Sequence, residues 1–264
     1  VMDGAVGGWC LHNVAADLFE AYQFLDGTPF DYNSPLYDPT DLGKNRDPRL
    51  AQTIYWNGAK FGEGIYNCDP DNNAANGKDG LHPSYQSTKT GYMMRKYIDD
   101  FYIYNGGDNN KYPAKIPVIR YAEVLLSYAE AKIEQNEIDE SVYDAINQVR
   151  TRAGMPNVDE AKYNNQEKLR ELVRRERRVE FAYEGMRRWD IIRWGIAKDV
   201  LNQPLLRVEG ELLTTKNAEG DFDVKITNTA LEENRTFTVG KNELLPIPQG
   251  ILDANPQITQ NPGY

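Results

Sequence analysis

Arg174-Arg175-Glu176-Arg177-Arg178-Val179-Glu180-Phe181-Ala182-Tyr183-Glu184-Gly185-Met186-Arg187-Arg188-Trp189-Asp190-Ile191-Ile192-Arg193-Trp194 is the stretch on which the reading of the whole chain turns. Leu169, Leu172, Val173, Val179 and Tyr183 recur at spacings of three and four, which predicts a helix with one apolar side. Gly185 breaks the pattern, and Met186, Trp189, Ile192 and Ile196 predict a second apolar stripe on a second helix. Glu176 falls on the first stripe. Burying a lone carboxylate is expensive, and guanidinium groups clamp carboxylates bidentately. Glu176 is therefore expected to be buried beside an arginine of the same or the next helix. Glu180, Glu184, Arg187 and Arg188 join it in an expected structural ion-pair network.

Upstream, Pro117 opens another helix, with Tyr121, Val124, Leu125, Tyr128 and Lys132 on one face. Ala122, Leu126, Ala129 and Ile133 widen its apolar band. The next helix begins near Asp139 or Ser141 and buries Val142, Ala145, Ile146, Val149 and Ala153. It stops at Gly154, before Pro156. Tyr121 to Gly154 has the length of a tetratricopeptide hairpin, about 34 residues. The aromatics of these stripes, Tyr121, Tyr128 and Trp189, are expected in the core.

Outside the hairpins the pattern changes. Val14, Leu18, Ala21, Tyr22 and Leu25 predict one short helix stopped by Gly27, and prolines punctuate a loop over residues 28–49. Thr53-Ile54-Tyr55-Trp56 reads as a strand, and residues 57–90 as a long loop. Beyond Pro204, Leu206 and Val208, then Phe222, Val224 and Ile226, then residues 236–239, suggest short antiparallel strands turning at Gly220. The tail from Pro246 is expected to lie extended. The expected architecture is mainly α: tetratricopeptide-like helical hairpins with long irregular loops and a small antiparallel β element. One domain covers 1–264, with a helix, loops and short strands over 1–116, hairpins over 117–203, and strands and tail over 204–264.

An ordered set of motifs now carries a resemblance. The opening stretch is joined by Arg120-Tyr121-Ala122-Glu123-Val124-Leu125-Leu126 and by Asn147-x-x-Arg150-x-Arg152-Ala153-Gly154. Lys44-Asn45-Arg46-Asp47-Pro48-Arg49-Leu50, Thr90-Gly91-Tyr92 with Arg95-Lys96-Tyr97, and the tail Leu245-Pro246-Ile247-Pro248 to Asn261-Pro262-Gly263-Tyr264 complete it. Together they resemble the SusD/RagB family, outer-membrane glycan-capture lipoproteins of Bacteroidetes. The resemblance implies a SusD-like fold at the surface of the cell outer membrane. It implies binding of an oligosaccharide or polysaccharide for delivery to a SusC-like TonB-dependent transporter, without bond cleavage and without a cofactor. Members are about twice this long, so the resemblance also implies a C-terminal portion. The family's N-terminal half and its lipid-bearing cysteine, the only expected link to the membrane, would then lie outside this chain.

Charge and composition narrow the alternatives. The formal net charge of -10 disfavours nucleic acid as partner, since a phosphate backbone demands a basic surface. The two cysteines, Cys10 and Cys68, can bridge or remain separate thiols. Asp69, Asp71 and Asn73 imitate the start of a calcium loop, but Ala74 and Gly80 stand where such a loop needs Gly and Glu; a polar turn is the plainer reading. His12 and His82 have no nucleophile motif beside them.

Two rival readings stay open. Glu176, Glu180 and Glu184 step along one helix, and paired carboxylates equip glycoside hydrolases; against this, arginine neighbours hold carboxylates ionised. A helical-repeat adaptor that binds only protein is the other rival. For sugar binding, Trp9, Tyr55, Trp56, Phe61, Tyr66 and Tyr85 are the candidates, being aromatics set among Gly, Asn and Asp that could stack on pyranose faces.

Overall fold

The computed structural model describes residues 13–62, 64–66, 68, 88–99, 102, 115–216 and 222–264. Side chains at 64, 210–216 and 222–224 are not part of this description. Trp9, Cys10, His12, Asp69, Asp71, Asn73, His82, Tyr85 and Gly220 lie outside the described residues.

The helical part is built of α3 (Tyr121–Glu134), α4 (Glu140–Arg152) and α5 (Gln166–Glu180). Asp139 caps α4 by accepting from the Ser141 N–H, and Asn165 caps α5 by accepting from the Lys168 N–H. Such caps satisfy amide donors that have no partner within the helix. The α4 turn ends at Gly154, whose φ of 82° lies in the left-handed region. Leu126, Ala129 and Ile133 of α3 pack on Val142, Ile146 and Val149 of α4 and on Leu169, Leu172 and Val173 of α5. This core is mainly aliphatic, with Tyr143 and Phe181 among its members, and removing one of its aliphatic members, as in Leu126→Ala, costs about 2–5 kcal/mol in comparable sites.

The α5 stripe lies where its periodicity placed it, with Glu176 buried among Leu172, Val173 and Val179. The face of α3 does not. Tyr121, Val124 and Tyr128 are exposed, at 68%, 54% and 46%. The band that was expected only to widen the stripe is the one in the core. Small and aliphatic residues (Ala122, Leu126, Ala129) let α3 approach its neighbours closely, and the aromatic side is left outward. In α6 (Met186–Arg193), Ile191 and Asp190 are buried while Trp189 is 57% exposed. Here an ion pair selects the face: Arg177 holds both carboxylate oxygens of Asp190 at 3.0 Å, turning Asp190 inward.

The second half of the structure is aromatic. Short helices α1 (Ala16–Ala21) and α2 (Pro48–Thr53) flank β1 (Ile54–Trp56), which pairs antiparallel with β4 (Tyr92–Met94). The smaller β2 (Lys60–Phe61) and β3 (Gly64–Ile65) form a ribbon beside them. The sequence reading placed loop up to residue 49 and a strand from Thr53, with no helix between them; α2 covers Pro48–Thr53. It forms because Asp47 accepts from the Arg49 N–H and Pro48 sits at the first helical position. Phe19, Tyr22, Leu50, Ile54, Tyr55, Trp56, Tyr92 and Met93 make the core, with Phe19 stacked on Tyr92 at 4.7 Å. The first helix is shorter than expected, and Leu25 is 47% exposed beyond its end.

A long hairpin, β5 (Leu205–Lys216) with β6 (Phe222–Glu233), follows the short helix α7 (Ala197–Leu201) and docks on this aromatic core. The Val208 N–H donates to Thr90 O and the Ile226 N–H to Pro39 O. At the docking point Gly91 has φ +82°, and a Cβ there would come within 2.3 Å of Val208 Cγ2. Any side chain at 91 would push the hairpin away. Residues 236–239 are not a strand; Phe237 instead packs with Ile191 and Ala197. The tail folds back on itself through α8 (Gln249–Ala254), with Gln260 bonded to both backbone groups of Ile247.

Candidate functional site

Of the expected sugar-stacking aromatics, three are core residues. Tyr55 is fully buried, Tyr66 is 3% exposed and Trp56 9% exposed. Tyr55 and Tyr66 pack together at 6.0 Å, and Phe19 meets Trp56 edge-on at 6.3 Å. A buried ring offers no face to a ligand. The physical reason is packing: in this half the rings of the irregular segments interleave with aliphatics such as Val14, Leu50 and Ile54 to close the core. Phe61 is half-buried and packs edge-on against Tyr55 at 5.4 Å. Cys68 is fully buried, and its N–H donates to Asn57 Oδ1 at 2.7 Å. Among the described residues no cluster of His, Cys, Asp and Glu could hold a metal ion, and no helix is long and apolar enough to cross a membrane.

Two charged regions flank the junction of α5 and α6. The first is a buried hub. Glu176 is 1% exposed and pairs with Arg49 at 2.5 Å and Arg150 at 3.0 Å. Neither partner comes from α5 or α6, where they were expected. Arg49 comes from α2 and Arg150 from α4, so this one carboxylate ties the aromatic half to the helical half. Glu180 takes Arg49 at 3.1 Å, Arg120 at 2.8 Å and Arg152 at 2.7 Å. Glu184 takes Lys96 at 2.5 Å and Arg120 at 2.7 Å. Arg187 and Arg188, expected in this network, are not in it: they point into the second region.

Protonation follows from the hub's wiring. Burial pushes the Glu180 carboxyl up, but hydrogen bonds and charge from Arg120, Arg49 and Arg152 outweigh it, and the net direction is down. A general acid for glycoside cleavage needs the opposite shift. Burial opposes the Arg49 charge, yet Glu176, Asp47 and Glu180 raise its pKa well above the ordinary value. The arrangement is suited to holding elements together.

The second region is a cavity of about 720 Å³. Its walls come from α1 and the segment after β4, from the α5–α6 junction, and from α7 with Arg235. Apolar groups dominate: Leu18, Met94, Ile98, Phe181 and Ile191. Tyr97 and Tyr183 both line it, and both have left-handed backbones, at φ 70° and 61°. For a bulky residue that conformation is costly. Among the described residues, the Tyr97 hydroxyl is buried without a hydrogen-bond partner.

Four arginines stand in the same wall. Arg178 pairs with Asp17 at 2.7 Å, and Arg235 donates to Gln203 O at 3.0 Å. Arg188 donates from Nη2 to Asn242 O at 2.7 Å, but its Nε is buried with no hydrogen-bond partner among the described residues. Arg187 makes no hydrogen bond or ion pair among the described residues. Burial, followed by the nearby Arg178 charge, pushes its guanidinium down to about 10. No sequence motif announced this cavity. The only signal was the excess of arginines over glutamates after Gly185.

The comparison with known proteins is decisive on ancestry. The SusD family pattern matches residues 2–264, nearly the entire chain. The chain belongs to the SusD family. A SusD-like carbohydrate-binding protein of Bacteroides fragilis has 41% sequence identity to it and superposes with a TM-score of 0.79. That alignment covers 98% of this chain and 50% of the other. A second SusD-like protein of that species, at 28% identity, has a TM-score of 0.67 over 96% of this chain and 47% of its own. SusD-like protein P2 of Formosa agariphila is 29% identical over 184 residues, which are 65% of this chain and 31% of that protein. This SusD family chain thus spans about half the length of the matched structures and a third of that curated relative. Its helical hairpins with a small antiparallel element are the SusD-like fold.

Proposed function

We propose that this chain is part of a cell-surface protein that binds oligosaccharides or polysaccharides and passes them, uncleaved, to a SusC-like TonB-dependent transporter in the outer membrane. The observation that carries the reading is the likeness to the B. fragilis carbohydrate-binding protein, sustained over nearly all of this chain at 41% identity. Capture without cleavage agrees with the hub: Glu176, Glu180 and Glu184 are tied to cations from α2, α4 and the segments before α3, and Glu180 is held as a carboxylate. The cavity agrees as well. Apolar walls with a few polar groups are the composition of sites that take amphipathic rings. Trp9 and Tyr85 enter as further candidates from the sequence alone.

The test is a glycan array run beside a reducing-end hydrolysis assay on the same purified chain. Retention of a glycan without product is expected. Product that accumulates with the parent and vanishes in Glu180→Gln would replace this reading with a glycoside hydrolase. Retention of the transporter in a pulldown, with no glycan bound, would replace it with a protein-binding adaptor.

A further inference from the structure

We propose that the cavity at the α5–α6 junction takes an acidic sugar unit, a saccharide residue bearing a carboxylate or a sulfate ester, with its anionic group on Arg187. The proposal rests on the glycan-binding reading and specifies the class of glycan.

The argument starts from what the wall leaves unpaired. Burying a cation without a counter-charge is costly, and proteins avoid it by pairing or by exposure. Every arginine of the hub obeys this rule: Arg49, Arg150 and Arg120 each meet at least one carboxylate. In the cavity the rule fails. Asp17 is the one carboxylate among the described lining residues, and Arg178 holds it at 2.7 Å. That leaves Arg187 without an ion pair, and Arg188 Nε and the Tyr97 hydroxyl without a hydrogen-bond partner, among the described residues. These groups occur together in one cavity of a chain whose formal net charge is -10. A local excess of half-buried cation against that background is a binding preference for an anion.

The remaining wall says what carries the anion. Tyr97 and Tyr183 are half-buried aromatics, and Leu18 and Ile98 are aliphatic. A free inorganic anion would have no use for them. A pyranose ring would, because its C–H faces stack on aromatic surface while its hydroxyls bond to groups such as the Tyr97 hydroxyl. A cavity of about 720 Å³ lies within the size range of small-ligand sites. The left-handed backbones of Tyr97 and Tyr183 hold both rings at this wall. Helix α6 also begins here with no side-chain cap at Gly185, so its positive end adds to the same field.

The experiment is isothermal titration of the chain with three oligosaccharides of matched length: an oligogalacturonide, a sulfated galactan oligomer and a neutral cello-oligosaccharide. The variants are Arg187→Met, Arg187→Lys and, as a control outside the cavity, Arg170→Met. The parent is expected to bind at least one acidic probe about tenfold or more tightly than the neutral one. Arg187→Met should erase that preference with an unchanged circular dichroism spectrum. Arg187→Lys should keep part of it, and Arg170→Met all of it. The acidic probe that binds tells carboxylate from sulfate ester. Neutral and acidic probes binding equally, or a preference that survives Arg187→Met, overturns the assignment and leaves glycan capture standing. A parent that binds none of the three and nothing on a glycan array overturns both.

Discussion

Glu176 and Arg187 belong to one short run of sequence, and the structure sends them into opposite electrostatic settings. Around Glu176 every cation meets a carboxylate: Arg49 and Arg150 on Glu176, with Arg49, Arg120 and Arg152 on Glu180. Around Arg187, among the described residues, one cation forms no ion pair, and Arg188 Nε and the Tyr97 hydroxyl are buried without a hydrogen-bond partner. A saturated network stabilises a fold because every member is satisfied, and it has nothing left for a ligand. An unsaturated wall costs stability and is available to a ligand for the same reason. The comparison assigns structure to one side of the junction and recognition to the other.

The largest way to break that contrast is Glu176→Ala. It strands Arg49 and Arg150 in the interior, and removing one partner of a buried pair costs roughly 3–5 kcal/mol. Urea denaturation is the measurement, and a loss below about 1 kcal/mol would mean the hub is not structural.

A smaller effect concerns pH. Glu180 has a folded-state pKa below its unfolded value, so its contribution is present above the unfolded value of about 4.3 and is lost as pH falls through the folded value. Melting temperature should therefore fall on the acid side of about pH 4.3. Glu180→Gln should be less stable at neutral pH and show a shallower acid-side fall; parallel curves for parent and variant would remove Glu180 from the hub's energetics.

Smaller still, and of opposite sign, is Arg187→Met. Losing a partly buried, unpaired cation should leave the melting temperature unchanged or raise stability by up to about 1 kcal/mol. A clear loss would mean that Arg187 serves the fold after all, and the contrast would collapse. The smallest effect belongs to Arg170→Ala. Arg170 pairs with Glu134 at 2.6 Å on the surface, where such pairs contribute about 0.2–1 kcal/mol. A larger change there would show that surface pairs matter as much as the hub.

Much of the helical half could be read in advance because its signal is local. The α5 stripe, the Asp139 cap and the Gly154 stop all act within one or two turns of chain. The face of α3 could not be read so. Its periodicity holds two overlapping apolar bands, and both satisfy a spacing of three and four. Only packing against α4 and α5 selects Leu126 and Ala129 over Tyr121 and Val124. The aromatic half misled for a related reason. A Tyr or Trp among glycines and asparagines has the same composition whether it stacks on a sugar or fills a core, and Tyr55, Trp56 and Tyr66 fill a core.

Sequence by itself determined the family, the hairpin architecture and the burial of Glu176, since each depends on patterns within a few turns or on ordered motifs. Tertiary structure alone decided which arginines neutralise the hub and which remain in the cavity. Arg49 reaches Glu176 across 127 positions of chain, while Arg187, much nearer in sequence, forms no ion pair among the described residues. Charges pair by distance in space, and for residues so far apart in sequence that distance is set only when the two halves pack together.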